Sequence, residues 1–159
     1  MDDEQFKHDD GRSYDSVADM FDRLAERNTR RLVETLLDIA ETEADQTVLD
    51  VGCGTGVVTR RILQRVDSGM VVALDISPGM LDYARRSVPD TSRVRFVRAD
   101  AEILPLTDES FDCAVSQFNI LHLPDHLAGL REMRRRQQSP CLAAFQRRRG
   151  VDKPYIGSQ

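Results

Sequence analysis

The chain has no tryptophan, and aromatic residues make up only 6% of its 159 positions. Its three cysteines, Cys53, Cys113 and Cys141, are odd in number, far apart and without a CxxC pair. That excludes a disulfide framework and a cysteine zinc site, and no metal is expected. No apolar run approaches the roughly 20 residues of a membrane-spanning helix, so no membrane partner is expected. The start, Met1-Asp2-Asp3-Glu4, lacks the basic-then-apolar pattern of a secretory leader, and the chain reads as cytoplasmic. The sign of the charge is uneven along the chain. Residues 131–159 carry eight Arg and Lys against Glu132 and Asp152, so this stretch is +6 and leaves −11 elsewhere within the net −5. An acidic body argues against nucleic-acid binding. With 40% hydrophobic residues the chain suits one domain, 1–159, with an ordinary core.

What is present is a change of period. From Asp15 to about Ala40, Val17, Met20, Phe21, Leu24, Leu32, Val33, Leu36, Leu37 and Ile39 recur at helical spacing, which predicts two helices, broken or bent near Asn28-Thr29. Thr47-Val48-Leu49-Asp50-Val51 then reads as a buried strand ending in glycines. Val57 to Val66 reads as a helix and Met70 to Leu74 as a second strand. A helix capped by Ser77 with Pro78 at its first position follows. Val94 to Ala99 and Phe111 to Ser116 read as the third and fourth strands, and Pro124 opens a helix carrying Leu127, Leu130 and Met133. Strands alternating with helices over short connections demand parallel pairing. The expected fold is therefore α/β: a Rossmann-like, doubly wound, mostly parallel sheet in three layers, with N-terminal helices.

Such sheets bind ligands beyond the carboxyl ends of their strands. Here those ends carry Asp50-Val51-Gly52-Cys53-Gly54-Thr55-Gly56, then Asp75, then Asp100-Ala101, then Gln117-Phe118-Asn119. Glycines let the backbone turn tightly and a ligand approach closely. An acidic residue about 20 positions beyond them suits ribose hydroxyls. The dinucleotide fingerprint G-x-G-x-x-G fails, because its third glycine falls on Val57 or Thr59, which disfavours a nucleotide-dependent oxidoreductase. Cys53 reads as a small filler in the loop rather than a nucleophile, since thiolate reactivity needs an electropositive setting.

The run Val48-Leu49-Asp50-Val51-Gly52-Cys53-Gly54-Thr55-Gly56 resembles the first motif of the class I S-adenosylmethionine-dependent methyltransferases. The likeness is to the type-11 domain typified by ubiquinone/menaquinone-biosynthesis C-methyltransferases. Leu74-Asp75-Ile76-Ser77-Pro78-Gly79-Met80-Leu81 resembles the second motif, and Ala99-Asp100-Ala101-Glu102 with Leu104-Pro105-Leu106 the third. Gln117 to His122, Leu130 to Arg135 and Tyr14 to Asp22 extend the likeness over roughly residues 14–136.

The resemblance implies S-adenosylmethionine as cofactor. Gly52, Gly54 and Gly56 would lie against its methionine part, with Asp50 bracing the loop. Asp75 would hold the ribose, Ile76 and Met80 would flank adenine, and Asp100 and Ala101 would meet its edge. Gln117 and Phe118 would close the floor, and Tyr14 would cover the site. The implied partner is a small-molecule methyl acceptor. His122 is the first candidate for a base, ahead of His126 and Tyr14, where the acceptor must lose a proton.

On this reading residues 1–45 are a helical lead-in, 46–136 the cofactor-binding core and 137–159 an atypical basic tail. The family pattern expects a fifth strand, further helix and a closing pair of strands after Arg135. This chain offers residues 141–145 as a short fifth strand, and the C-terminal part of the sheet is expected to be incomplete. The expectation follows of a truncated or divergent C-terminus that leaves the fourth strand at or near an edge and prone to self-association. The alternative to an enzyme is a non-catalytic remnant that binds the cofactor without turnover.

Overall fold

The computed structural model describes residues 17–89, 92–138, 142–148 and 151–156. Tyr14 lies outside them, as does Cys141. Helix α1 (Ala18–Ile39) is followed by β1 (Thr47–Val51), α2 (Val57–Arg65), β2 (Met70–Asp75), α3 (Pro78–Ser87), β3 (Val94–Arg98), β4 (Cys113–Gln117), a single 3-10 turn (Ile120–His122), α4 (His126–Arg135), β5 (Leu142–Arg148) and β6 (Val151–Ile156). The sheet order is β3-β2-β1-β4-β5-β6, parallel throughout except for the antiparallel β5–β6 pair. The order reverses on the two sides of β1, so a crevice opens beyond the carboxyl ends of β1 and β4.

The pleat sorts the side chains. Val48, Val71, Ala73, Cys113 and Val115 face one side, where they pack with Val33, Leu36 and Leu37 of α1, Ile62 of α2 and Leu81 of α3. Leu49, Val51, Leu74 and Ala114 face the other, where Phe111, Leu123 and Met133 cover them. Both faces of β1 are buried, which is why its sequence is apolar almost without a break. Three layers result, as the sequence implied. Among the described residues, no helix is long and apolar enough to cross a membrane.

Two expectations are corrected. The lead-in is one unbroken helix of 22 residues, not two. Nothing between Ala18 and Ile39 is Gly or Pro, and Thr29 Oγ1 donates to the Ala25 carbonyl at 2.6 Å, a back-bond that seats Thr inside a helix. Nor does β4 stand at an edge: Ala114 to Gln117 pair in parallel with Leu142 to Phe145, and β6 then pairs along β5 from Val151 to Ile156. The stretch read as an atypical tail thus adds two strands to the ladder. The resemblance implies more than a fifth strand and a single closing strand, so the sheet is incomplete on that side, but beyond β4. Its edges are β3 and β6.

The start of the basic stretch is also tied into the body. Gln137 is buried and bridges Phe111, and the Arg136 carbonyl accepts from the Ser110 and Phe111 N–H groups. The Arg136 guanidinium is 2% exposed and meets Glu132 at 2.9 Å, Asp108 and the Leu104 carbonyl.

Candidate functional site

The loop after β1 folds back on the end of β2. The Gly52 and Cys53 N–H groups both donate to the Leu74 carbonyl at 2.9 Å. The Gly54 N–H donates to Asp75 Oδ2 at 2.8 Å, and the Ser77 N–H donates to Asp75 Oδ1 at 2.9 Å. One carboxylate thus fixes the glycine loop and the entry to α3 together. With about four acceptor sites in all, the carboxylate can still accept from a ligand. Burial pushes the Asp75 carboxyl above its ordinary value, against the lowering effect of these backbone bonds.

Gly54 has φ +54°, and nothing stands within 4 Å of the place a Cβ would occupy. That place opens into a cavity of about 360 Å³. Gly52 has φ +72°, and a Cβ there would come within 2.3 Å of Asn119. Close approach of Asn119 to the loop therefore requires glycine.

The cavity brings together most of the residues picked out in the sequence. Gly52, Gly54, Asp75, Ile76, Met80, Asp100, Ala101, Gln117, Phe118 and His122 all line it. Asp50 does not. It alternates to the α2 face, is fully buried, and accepts the Thr59 hydroxyl at 2.6 Å. Burial raises its carboxyl to about 7, against the lowering effect of the Thr59 bond. Its place suits bracing the loop from behind. Gly56 also stands apart, facing Ala84 of α3 and Val88 just after it. Burial pushes the Cys53 thiol well above its ordinary value, in keeping with an inert filler.

Asp100 Oδ1 accepts the Glu102 N–H at 2.9 Å, which shapes the turn after β3. Phe118 takes a left-handed φ of +63°, a costly conformation for a side chain that large, of a kind that gathers at functional sites. It lies in the turn that carries the chain from β4 to Asn119 and His122.

Sequence reasoning missed the roof. Phe21, Leu24, Ala25 and Thr29 of α1 line the cavity. They continue, one turn after another, the stripe that buries Val33, Leu36 and Leu37. Their periodicity was visible, but an apolar stripe does not say which of its turns cover core and which cover a cavity. Asn119 was quoted within a motif and given no role. The signal for it was Gly52, whose missing side chain leaves room for it.

The chain is similar to known proteins in sequence and in fold. Residues 48–138 match the family described as a methyltransferase domain. The malonyl-[acyl-carrier protein] O-methyltransferase of Halorhodospira halophila is 36% identical over 126 residues, covering 78% of this chain and 42% of that protein. The ubiquinone/menaquinone biosynthesis C-methyltransferase UbiE of Hahella chejuensis is 36% identical over 130 residues, covering 77% and 52%. The chain thus spans about half the length of these relatives. A chain of the complex between the Haloferax volcanii Trm112 methyltransferase activator and a methyltransferase superposes with a TM-score of 0.76 at 25% identity, covering 84% of this chain and 59% of that one. A SAM-dependent methyltransferase from Aquifex aeolicus gives 0.64 at 28%, covering 72% and 63%.

Proposed function

The chain belongs to the class I, S-adenosylmethionine-dependent methyltransferases, and on that premise we propose that it transfers a methyl group to a small organic acceptor at the cavity between α1 and the carboxyl ends of the strands. The observation that carries this reading is the gathering of ten sequence-assigned residues, from four separate strand ends, around one space.

The residues present fit the family's cofactor. The Gly54 position opens into the cavity where a Cβ would protrude, and Asp75 faces it with lone pairs to spare. Asp75 would accept from the ribose hydroxyls. Ile76 and Met80 would flank adenine, with Asp100 and the Ala101 N–H at its edge. Gly52 and Gly54 would lie along the methionine part, while Asp50, through Thr59 of α2, would hold the loop's shape from behind. Gln117 and Phe118 would form the floor.

When bound, the cofactor supplies a methyl group on a cationic sulfur, ready for in-line attack. The protein then has little bond-making chemistry to perform, and its contribution is positioning and exclusion of water. The apolar roof from α1 would limit water on that side once an acceptor is seated against it. His122, exposed at the rim yet lining the cavity, would take up the proton of a hydroxyl acceptor.

The test is transfer of label from methyl-labelled S-adenosylmethionine to a panel of small phenols, hydroquinones and carboxylic acids. Label on at least one small acceptor is expected. Saturable cofactor binding with no transfer to any member would instead support a binding fold without turnover.

A further inference from the structure

Which acceptor fits is written in the outer half of the cavity. The carboxylates and glycines line the strand ends. Opposite them stand Phe21, Leu24, Ala25 and Thr29 of α1, with Phe118 and Leu123 on the facing turn. Phe21 and Leu24 line the cavity and yet remain 40% and 53% exposed, and Met20 beside them is 59% exposed. Three large apolar side chains on adjoining positions of one helix end form the kind of contiguous patch that marks a binding surface.

Charge narrows the choice further. Among the described residues, no Lys or Arg lines the cavity, whereas Asp75 and Asp100 both do, and Asp50 lies behind the loop. A carboxylate or phosphate on the acceptor would enter a space already holding negative charge, without the Arg fork that such groups need when desolvated.

We infer that the acceptor is an uncharged, largely apolar compound seated between α1 and the turn at 118–123, and that Leu24 is a specificity-determining residue for it. This rests on the methyl-transfer reading above. It sets this site apart from one built for an anionic acceptor, since the apolar face supplies affinity and the carboxylates reject like charge.

The test uses a matched pair of probes. 2-Naphthol and 2-naphthoate share one ring system and differ in charge at neutral pH. S-adenosylhomocysteine is titrated first, which reads the cofactor site by itself. Each probe is then titrated into the chain with and without S-adenosylhomocysteine, so the acceptor face is read separately. Saturable binding of 2-naphthol is expected, with 2-naphthoate weaker by roughly tenfold or more. Leu24→Arg is expected to move that ratio toward the anion by a similar factor. Equal or tighter binding of 2-naphthoate to the natural chain overturns the inference even where the cofactor binds. So does binding of neither probe, or a ratio unmoved in a Leu24→Arg chain that melts normally. Absence of S-adenosylhomocysteine binding sinks the cofactor reading instead, and the wild-type probe ratio still decides the charge preference of the apolar face.

Discussion

Asp50 is fully buried, bonded through one oxygen to Thr59, and its other oxygen has no hydrogen-bond partner in the structure. Burial raises its carboxyl from 3.8 to about 7, and the neighbouring Asp75 charge pushes in the same direction. A group whose folded value lies above its unfolded one binds protons more tightly in the folded state. Its stabilising effect is complete below the unfolded value and is lost as pH rises through the folded one. Above neutral pH the ionised carboxylate is therefore a burden on the fold. The interval from 3.8 to about 7, at ~1.4 kcal/mol for each pH unit, sets that burden at ~4 kcal/mol. Asp50→Asn removes the charge and keeps an oxygen for Thr59. It also buries an amide N–H without an acceptor, at a cost of ~1–3 kcal/mol. The substitution should stabilise the chain by ~2 kcal/mol at about pH 8, and the gain should vanish or reverse at about pH 5. Urea unfolding at the two pH values measures this directly. An equal effect at both, or a loss at the higher pH, refutes a raised carboxyl at this position.

Arg136→Met removes a buried cation that ties Glu132, Asp108 and the Leu104 carbonyl together. It should cost ~3–5 kcal/mol in denaturant unfolding, and a loss within the error of measurement would show the cluster to be ornamental. Gly54→Ala should fold, with ~1 kcal/mol of left-handed strain, yet weaken S-adenosylhomocysteine binding by about tenfold or more, because its Cβ enters the cavity. Gly52→Ala should be the more damaging of the two in a thermal melt, since its Cβ collides with Asn119; the opposite order would contradict the loop geometry. Removing residues 139–159 strips β5 and β6 from the sheet and bares β4. That shortened chain should self-associate in light scattering while the full chain does not, and a monodisperse shortened chain would show that β4 tolerates an open edge.

The central sheet was legible because its signals agree across levels. The unbroken apolar run of β1 needs two covered faces, and the glycine loop, Asp75 and Asp100 fall where strand ends must fall. The Ser77 cap was legible as well, and its Oγ accepts the Met80 N–H at 3.1 Å. Two things were not. The continuity of α1 through Asn28-Thr29 rests on the packing of the helix against its neighbours, which outweighs weak local propensity. The short fifth strand read at 141–145 is present and runs on to Arg148, whereas β6 was hidden, because a polar, basic stretch reads as a tail until a sheet edge is there to pair with it.

Within the site, the residues bearing polar chemistry could be chosen from the chain alone. The apolar roof could not, since Phe21 and Leu24 obey the same period as the core positions that follow them. Asp50 illustrates a further limit. Its motif position suggested a brace for the loop, and strand alternation turns it to the α2 face behind that loop, but only the pairing of β1 with β2 and β4 fixes which face that is.

The most direct measurement is calorimetric titration of the chain with S-adenosylhomocysteine, beside Asp75→Ala. Saturable binding in the micromolar range, about −8 kcal/mol, lost on the substitution, is the expected result. A folded chain that takes up no S-adenosylhomocysteine, or an Asp75→Ala chain that binds it as tightly as the natural one, would contradict a cofactor site at the carboxyl ends of β1 and β2.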